Sequence, residues 1–137
     1  LIFIQIIMGA FVSGLDAGRI YQTWPMMGQN FFPNDFYFKN FYNFLDFNNH
    51  SLVQFYHRSL AYFILFYAVY LSFFIYFKKL KTLYKAIKVL FLFLSLQAIL
   101  GIFTLISGLN IYLASAHQIT SVLLVFSALN LYFYRAK

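Results

Sequence analysis

The residues of this chain best suited to chemistry are two histidines, His57 and His117, each near the start of its own apolar segment. Ser51 followed three residues later by Gln54 predicts a capping box, which places His57 about 9 Å into its helix. His117 lies about 10 Å past a predicted N-cap at Asn110. Imidazoles at one depth on two helices are able to hold a haem iron from both sides, so both residues are predicted as metal ligands.

The alternative for each histidine is structural. An imidazole inside a membrane is costly to bury, and it could serve only to bond another helix. Small residues near the histidines, Ala61, Ala114 and Ala116, leave space for a flat macrocycle but also permit close helix packing. Two histidines at matched depth on helices of like direction favour the shared-ligand interpretation.

The composition is that of a membrane protein. The chain is 63% hydrophobic and 9% charged, with 10 Lys and Arg against 3 acidic residues, all of them Asp. Soluble domains carry about 25% charged residues. The net charge of +7 does not indicate a nucleic-acid partner, because the basic residues cluster where a membrane topology signal would place them. The lack of cysteine excludes disulfides, thiolate nucleophiles and iron–sulfur clusters.

The apolar segments predict an all-α fold, an integral membrane four-helix bundle that spans the lipid bilayer. The predicted spans are about 1–15, 52–77, 89–106 and 111–134. The first is shorter than the roughly 20 residues that a span requires, which predicts an N-terminally truncated chain, a fragment or one half of a longer protein. A turn is predicted at residues 107–110, where Ser, Gly and Asn interrupt the apolar run.

Basic residues orient these spans. Five lysines lie between spans two and three, and Arg135 and Lys137 follow span four. Both regions should face the cytoplasm or matrix by the positive-inside rule. The loop from Asp16 to His50 then lies outside, and both histidines lie in the outer third of the bilayer.

A weak internal repeat supports the pairing of the histidines. Gln5 and Gly9 in span one are matched by Gln97 and Gly101 in span three, with the same spacing and a Phe two residues after each glycine. Each of these spans precedes a span that carries one of the two histidines. Two like hairpins would be related by an axis along the membrane normal, which would place the histidines across from each other. The two glutamines are expected to bond across helices.

Two arginines are candidates for binding cofactor carboxylates. Arg58 follows His57, and Arg19 lies at the outer end of span one, so either guanidinium could pair with a haem propionate. Ordinary contact with lipid headgroups is the alternative for both. Asp16 is expected to balance Arg19 or to cap the loop, and His50 is expected to be solvated or to enter the helix.

Several segments together resemble haem A synthase, in particular the C-terminal half of the mitochondrial and alphaproteobacterial type. They are GAFVSGLDAGR at 9–19, TWPMMG at 23–28, VQFYHRSLAY at 53–62, LGI at 100–102 and AHQ at 116–118. The resemblance spans nearly the whole chain in order. It implies an eight-helix membrane oxidoreductase, built as two four-helix halves, that oxidises a methyl group of haem O to the formyl group of haem A for cytochrome oxidase.

The resemblance also implies that His57 and His117 ligate a haem b that transfers electrons. The family's catalytic carboxylate belongs to the other half and this chain has no Glu, so the catalytic residues are unknown and the fragment alone is expected to be inactive. The implied partners are haem O, an unidentified electron donor and haem O synthase. The expected location is the bacterial or mitochondrial inner membrane, and the possibility of a homo-oligomer stays open.

Two other functions fit the same residues. A b-type cytochrome that exchanges electrons with quinone would share the histidine pair. A non-haem membrane assembly or transport subunit would use the histidines only for packing.

Overall fold

Four α-helices form the protein in a computed structural model, which describes residues 1–35, 37 and 40–136. The helices are α1 Ile2–Gly14, α2 His50–Phe77, α3 Tyr84–Ile106 and α4 Ile111–Ala136. Short 3₁₀ turns at Ala17–Arg19, Phe41–Leu45 and Lys81–Leu83 lie in the connections. The described residues contain no strand, only one isolated bridge between Met27 and Asn30. The all-α prediction is therefore confirmed.

Three of the helices fit a multi-pass membrane protein. His50–Phe77, Lys81–Ile106 and Ile111–Arg135 are each long and apolar enough to cross a bilayer, whereas α1 has 13 residues. Their large apolar side chains point outward, as Phe66 and Phe73 do with 72% and 69% exposure. A helix that is apolar all round suits a hydrocarbon environment.

Helix ends show where local sequence signals compete. The predicted capping box at Ser51 is wrong, because α2 begins at His50 and the side chain of Asn49 accepts a hydrogen bond from the Leu52 N–H at 3.0 Å. The Ser51 hydroxyl donates instead to the Asp35 carboxylate at 2.6 Å. Asn110 does cap α4, accepting from the N–H groups of Tyr112 and Leu113. His50 is exposed as the first residue of α2.

The two short connections between helices were predicted from the sequence with different accuracy. The turn at 107–110 is confirmed, with positive φ at Gly108 and Leu109. Helix α3 begins at Tyr84, five residues before the predicted start at about residue 89, so the Lys-rich connection is shorter than expected. Lys137, part of the predicted inner charge, lies outside the described residues.

The apolar core fills the half of the bundle that lies toward the connection between α2 and α3. It is built from α2, α3, α4 and Leu83, and its outermost members on the three helices are Ile64, Leu94 and Leu124. Beyond them toward the outer side, neither the stretch 95–106 of α3 nor the stretch 111–119 of α4 contains a buried residue. His57 and His117 lie at this outer level, past the end of the apolar core.

Candidate functional site

The two candidate ligands lie on helices that are diagonal in the bundle. Helix α1 packs on α2 and α4, and α3 packs on the same two helices, whereas α2 and α4 are not a closely packed pair among the described residues. His57 on α2 and His117 on α4 are each about two turns past the start of their helix. Both are partly buried. That the two imidazoles lie across from each other stays a prediction.

In the first hairpin, α1 supplies a glutamine and a glycine to the ring of His57. The Gln5 Nε2 atom lies 3.2 Å from Nδ1 and 3.4 Å from Nε2 of His57, and it donates to the His57 carbonyl oxygen at 3.1 Å. One turn later on the same face, Gly9 leaves room for the ring. A Cβ atom added at Gly9 would lie 3.3 Å from the His57 Cε1.

The second hairpin has a similar arrangement, in which the glutamine makes a single contact with the ring. Gln97 Nε2 on α3 lies 3.4 Å from the His117 Nε2. A Cβ atom at Gly101 would lie 2.9 Å from the His117 Cε1, closer than real Cβ contacts. The expected cross-helix contacts of both glutamines are therefore confirmed. The repeated Gln-x3-Gly pattern has the same structural counterpart in each hairpin, namely a cradle for one imidazole.

Unpartnered polar atoms test whether these residues suit a haem. The His117 Nδ1 and the Oε1 atoms of Gln5 and Gln97 are buried without a hydrogen-bond partner. Leaving such atoms unpaired costs about 1–3 kcal/mol each, so a group that engages the imidazoles would relieve a real penalty. Two imidazoles from diagonal helices, past the end of the apolar core, fit a metal that a planar macrocycle already holds in its plane. In the described part of the chain, no cluster of three or more His, Cys, Asp or Glu is placed to hold a bare metal ion.

The two candidate arginines lie apart from the histidine rings' cradles. The Arg58 guanidinium donates to three carbonyl oxygens of the outer loop, those of Tyr21 at 3.0 Å, Thr23 at 2.8 Å and Met26 at 3.2 Å. Arg19 is exposed and pairs with Asp16 at 3.6 Å, as was expected of Asp16. Arg58 thus holds the loop onto α2 in this structure, and Arg19 contacts its neighbour in sequence.

A second set of bonds ties the outer loop to the start of α2. The Tyr21 hydroxyl and the Ser51 hydroxyl each donate to the Asp35 carboxylate, at 2.7 and 2.6 Å. Burial tends to raise the pKa of Asp35, but these two hydrogen bonds outweigh it and hold the pKa below its ordinary value. Burial and the bond to Asp35 raise the pKa of Tyr21. Gln54 adds a bond to the Tyr21 carbonyl at 2.9 Å.

Sequence reasoning missed this loop attachment. Asp35, Tyr21 and Gln54 carry no pattern that identifies their partners, because the contacts join residues 14 to 33 positions apart. A cavity of about 220 Å³ lies under the loop, with Met27, Phe55 and Arg58 among its lining residues and neither histidine among them.

Comparison with known proteins identifies the family. The sequence profile of the cytochrome oxidase assembly protein family, COX15-CtaA, matches residues 1–129. The chain belongs to this family. It is 48% identical over 131 residues to the haem A synthase of Pelagibacter ubique, a match that covers 93% of this chain and 37% of that protein.

More distant relatives agree with this assignment. The haem A synthase of a Wolbachia from Brugia malayi is 40% identical over 94% of this chain and 37% of its own length. That of a Ruegeria species is 36% identical over 88% of this chain and 32% of its own length. The chain thus spans about a third of the length of these curated relatives. No solved structure gave a significant match.

Proposed function

We propose that this chain is the C-terminal, haem b-binding half of a haem A synthase, with His57 and His117 as the two axial ligands. The observation that carries the proposal is the repeated cradle. In each hairpin a glutamine and a glycine of the first helix lie beside the imidazole of the second, and the two histidines belong to diagonal helices of the bundle. Family membership supports a role in making haem A.

His57 and His117 would hold the haem b, which would supply one-electron transfer. The residues of this chain hold and orient the group. His57 and His117 supply nitrogen ligands, and Gly9 and Gly101 let the rings approach the neighbouring helices. The apolar helices exclude water from the inner side.

The division of labour follows from what the chain contains. Its three Asp residues all lie outside the four helices, so the chain places no carboxylate within the spans to take part in oxidation. We assign haem O oxidation to the rest of the protein and electron delivery to this half. The same proposal includes an unidentified electron donor, a contact with haem O synthase and a location in a bacterial or mitochondrial inner membrane. Arg58 and Arg19 are proposed propionate partners only if the haem edge reaches the outer loop.

The test is product analysis in cells that make haem O but lack their own haem A synthase. Expression of the protein that carries this chain should yield extractable haem A, and His57→Ala or His117→Ala should reduce the yield at least tenfold. His50→Ala is the matched control, because His50 is exposed at the start of α2, and it should leave the yield unchanged.

Two results would contradict the proposal. Bound haem b with a quinone-dependent reduction but no haem A would indicate a b-type cytochrome. Full haem A production by both histidine variants would mean that the pair has only a structural role, as in a non-haem assembly or transport subunit.

A further inference from the structure

We infer that a groove between α2 and α3, near the connection that joins these helices, binds an anionic phospholipid. Lys85 and Lys88 hold the lipid phosphate, and an acyl chain lies in the groove. This site goes beyond the proposed function and does not depend on it, because the groove lies toward the opposite end of α2 from His57.

The groove is an opening of about 260 Å³ between the two helices. Its lining consists of Ser72 and Tyr76 of α2 and of Ile87, Lys88 and Phe91 of α3. Helix α3 packs far more extensively on α4 than on α2, which leaves this space open. The Ser72 hydroxyl donates within its own helix, to the Ala68 carbonyl oxygen at 2.8 Å, so its hydrogen is already engaged. The groove therefore offers mostly apolar surface, which suits a hydrocarbon chain.

The groove opens on a side of the bundle that exposes large apolar side chains. Leu92, one turn past Lys88 on the same face of α3, is 64% exposed. Phe73 and Phe77, each next in sequence to a groove residue of α2, are exposed as well. In a helix that spans a membrane such a surface contacts acyl chains, so a lipid can enter the groove from the bilayer.

The positive charge at this end of the bundle has no counterpart within the chain. The five exposed lysines here are Lys78, Lys79, Lys81, Lys85 and Lys88. The three Asp residues all precede α2, whose 28 residues span about 40 Å, and the chain has no Glu. Among the described residues the one ion pair joins Arg19 to Asp16. An anionic group from outside the chain has the charge that these lysines lack.

Lys85 and Lys88 are the lysines placed to hold a phosphate at the groove. A topology signal requires only charge in the connection, but these two lie within α3, three residues apart and thus neighbours on its surface. The first turn of α3 has no acidic residue, and the positive end of the helix dipole disfavours lysine there. Because Lys88 also lines the groove, a phosphate between the two ammonium groups lies at its edge. Basic pockets between transmembrane helices bind anionic lipid headgroups in this way.

The experiment measures lipid retention by the purified full-length protein that carries this chain. Native mass spectrometry counts the molecules retained when phosphatidylglycerol or phosphatidylcholine with the same acyl chains is added in detergent. Wild type should retain at least one more phosphatidylglycerol than phosphatidylcholine. The double variant Lys85→Gln/Lys88→Gln should lose that molecule, and so should Ser72→Phe, which fills the groove but keeps both lysines. Arg135→Gln is the matched control and should keep it, because Arg135 is exposed at the end of α4 and does not line the groove.

Four results would each overturn the lipid site. Equal retention of the two lipids by wild type would show no preference for an anionic headgroup. Full retention by the lysine variant would exclude the two ammonium groups as the phosphate ligands, and full retention by Ser72→Phe would exclude an acyl chain in the groove. An equal loss in Arg135→Gln would show attraction by surface charge alone. Circular dichroism checks the fold of each variant, and Ser72→Leu replaces Ser72→Phe if the latter does not fold. None of these readouts involves haem, so failure of the lipid site leaves the proposed function standing.

Discussion

Gly101→Ala is the substitution that should most strongly disturb the contact between α3 and the His117 ring. A Cβ atom there would lie 2.9 Å from the His117 Cε1, about half an ångström inside the 3.4 Å at which ordinary contact begins. A methyl group forced into a packed site costs about 1–3 kcal/mol, whereas alanine in a helix gains about 0.5–1 kcal/mol over glycine. Gly101→Ala should therefore lose about 1–2 kcal/mol of stability and displace the imidazole.

Substitutions at two other glycines serve as controls for this prediction. The same atom at Gly9 would lie 3.3 Å from the His57 Cε1, so Gly9→Ala should be close to neutral in stability. At Gly14 nothing lies within 4 Å, so Gly14→Ala should be neutral or slightly stabilising. Thermal unfolding in detergent measures stability, and the Soret band of the haem-loaded protein reports ligation. The reasoning is refuted if Gly101→Ala matches wild type in both, or if Gly14→Ala is equally damaging.

Three further predictions concern the outer loop and the start of α2. Arg58→Met should free the loop from α2, because it removes three charged hydrogen bonds, each of which contributes about 1.5–3 kcal/mol before solvent screening. Limited proteolysis in the loop should become faster in this variant but not in Arg19→Met. Because the pKa of Asp35 is lowered in the folded state, its ionised carboxylate stabilises the fold at neutral pH, and this stabilisation is lost as the pH falls below about 4. Hydrogen exchange near Tyr21 should show this loss, and Asp35→Asn should abolish the pH dependence. Asn49→Ala should cost about 1 kcal/mol by removing the cap of α2, measured by thermal unfolding, and no change would refute the assignment of the cap.

The depth of the two histidines could be predicted because it depends on local rules. Helical rise per residue is nearly constant, and good caps near residues 50 and 110 fix the starting points to within a residue or two. The error at Ser51 changed the start of α2 by only two residues, so His57 and His117 each lie about two turns past the start of their helix. The spacing of glutamine and glycine likewise needed only helical geometry to place both on one face.

The partners of individual polar groups could not be predicted. Asn49 and Ser51 are both good caps, and the choice depended on Asp35 folding back to accept the Ser51 hydroxyl. Arg58 suits a propionate and a loop carbonyl equally well by type, and only the path of the loop decides which groups lie within its reach. Such choices depend on contacts between residues distant in sequence, for which a single sequence carries no signal.

The most direct test of the central claim is the reduced-minus-oxidised absorbance spectrum of the purified, haem-supplied protein, compared for wild type, His57→Ala and His117→Ala. Two axial imidazoles predict a low-spin b-type spectrum in wild type and, in each variant, loss of haem or conversion to a high-spin spectrum. A low-spin spectrum that survives either substitution unchanged, in protein that remains folded, would contradict the account.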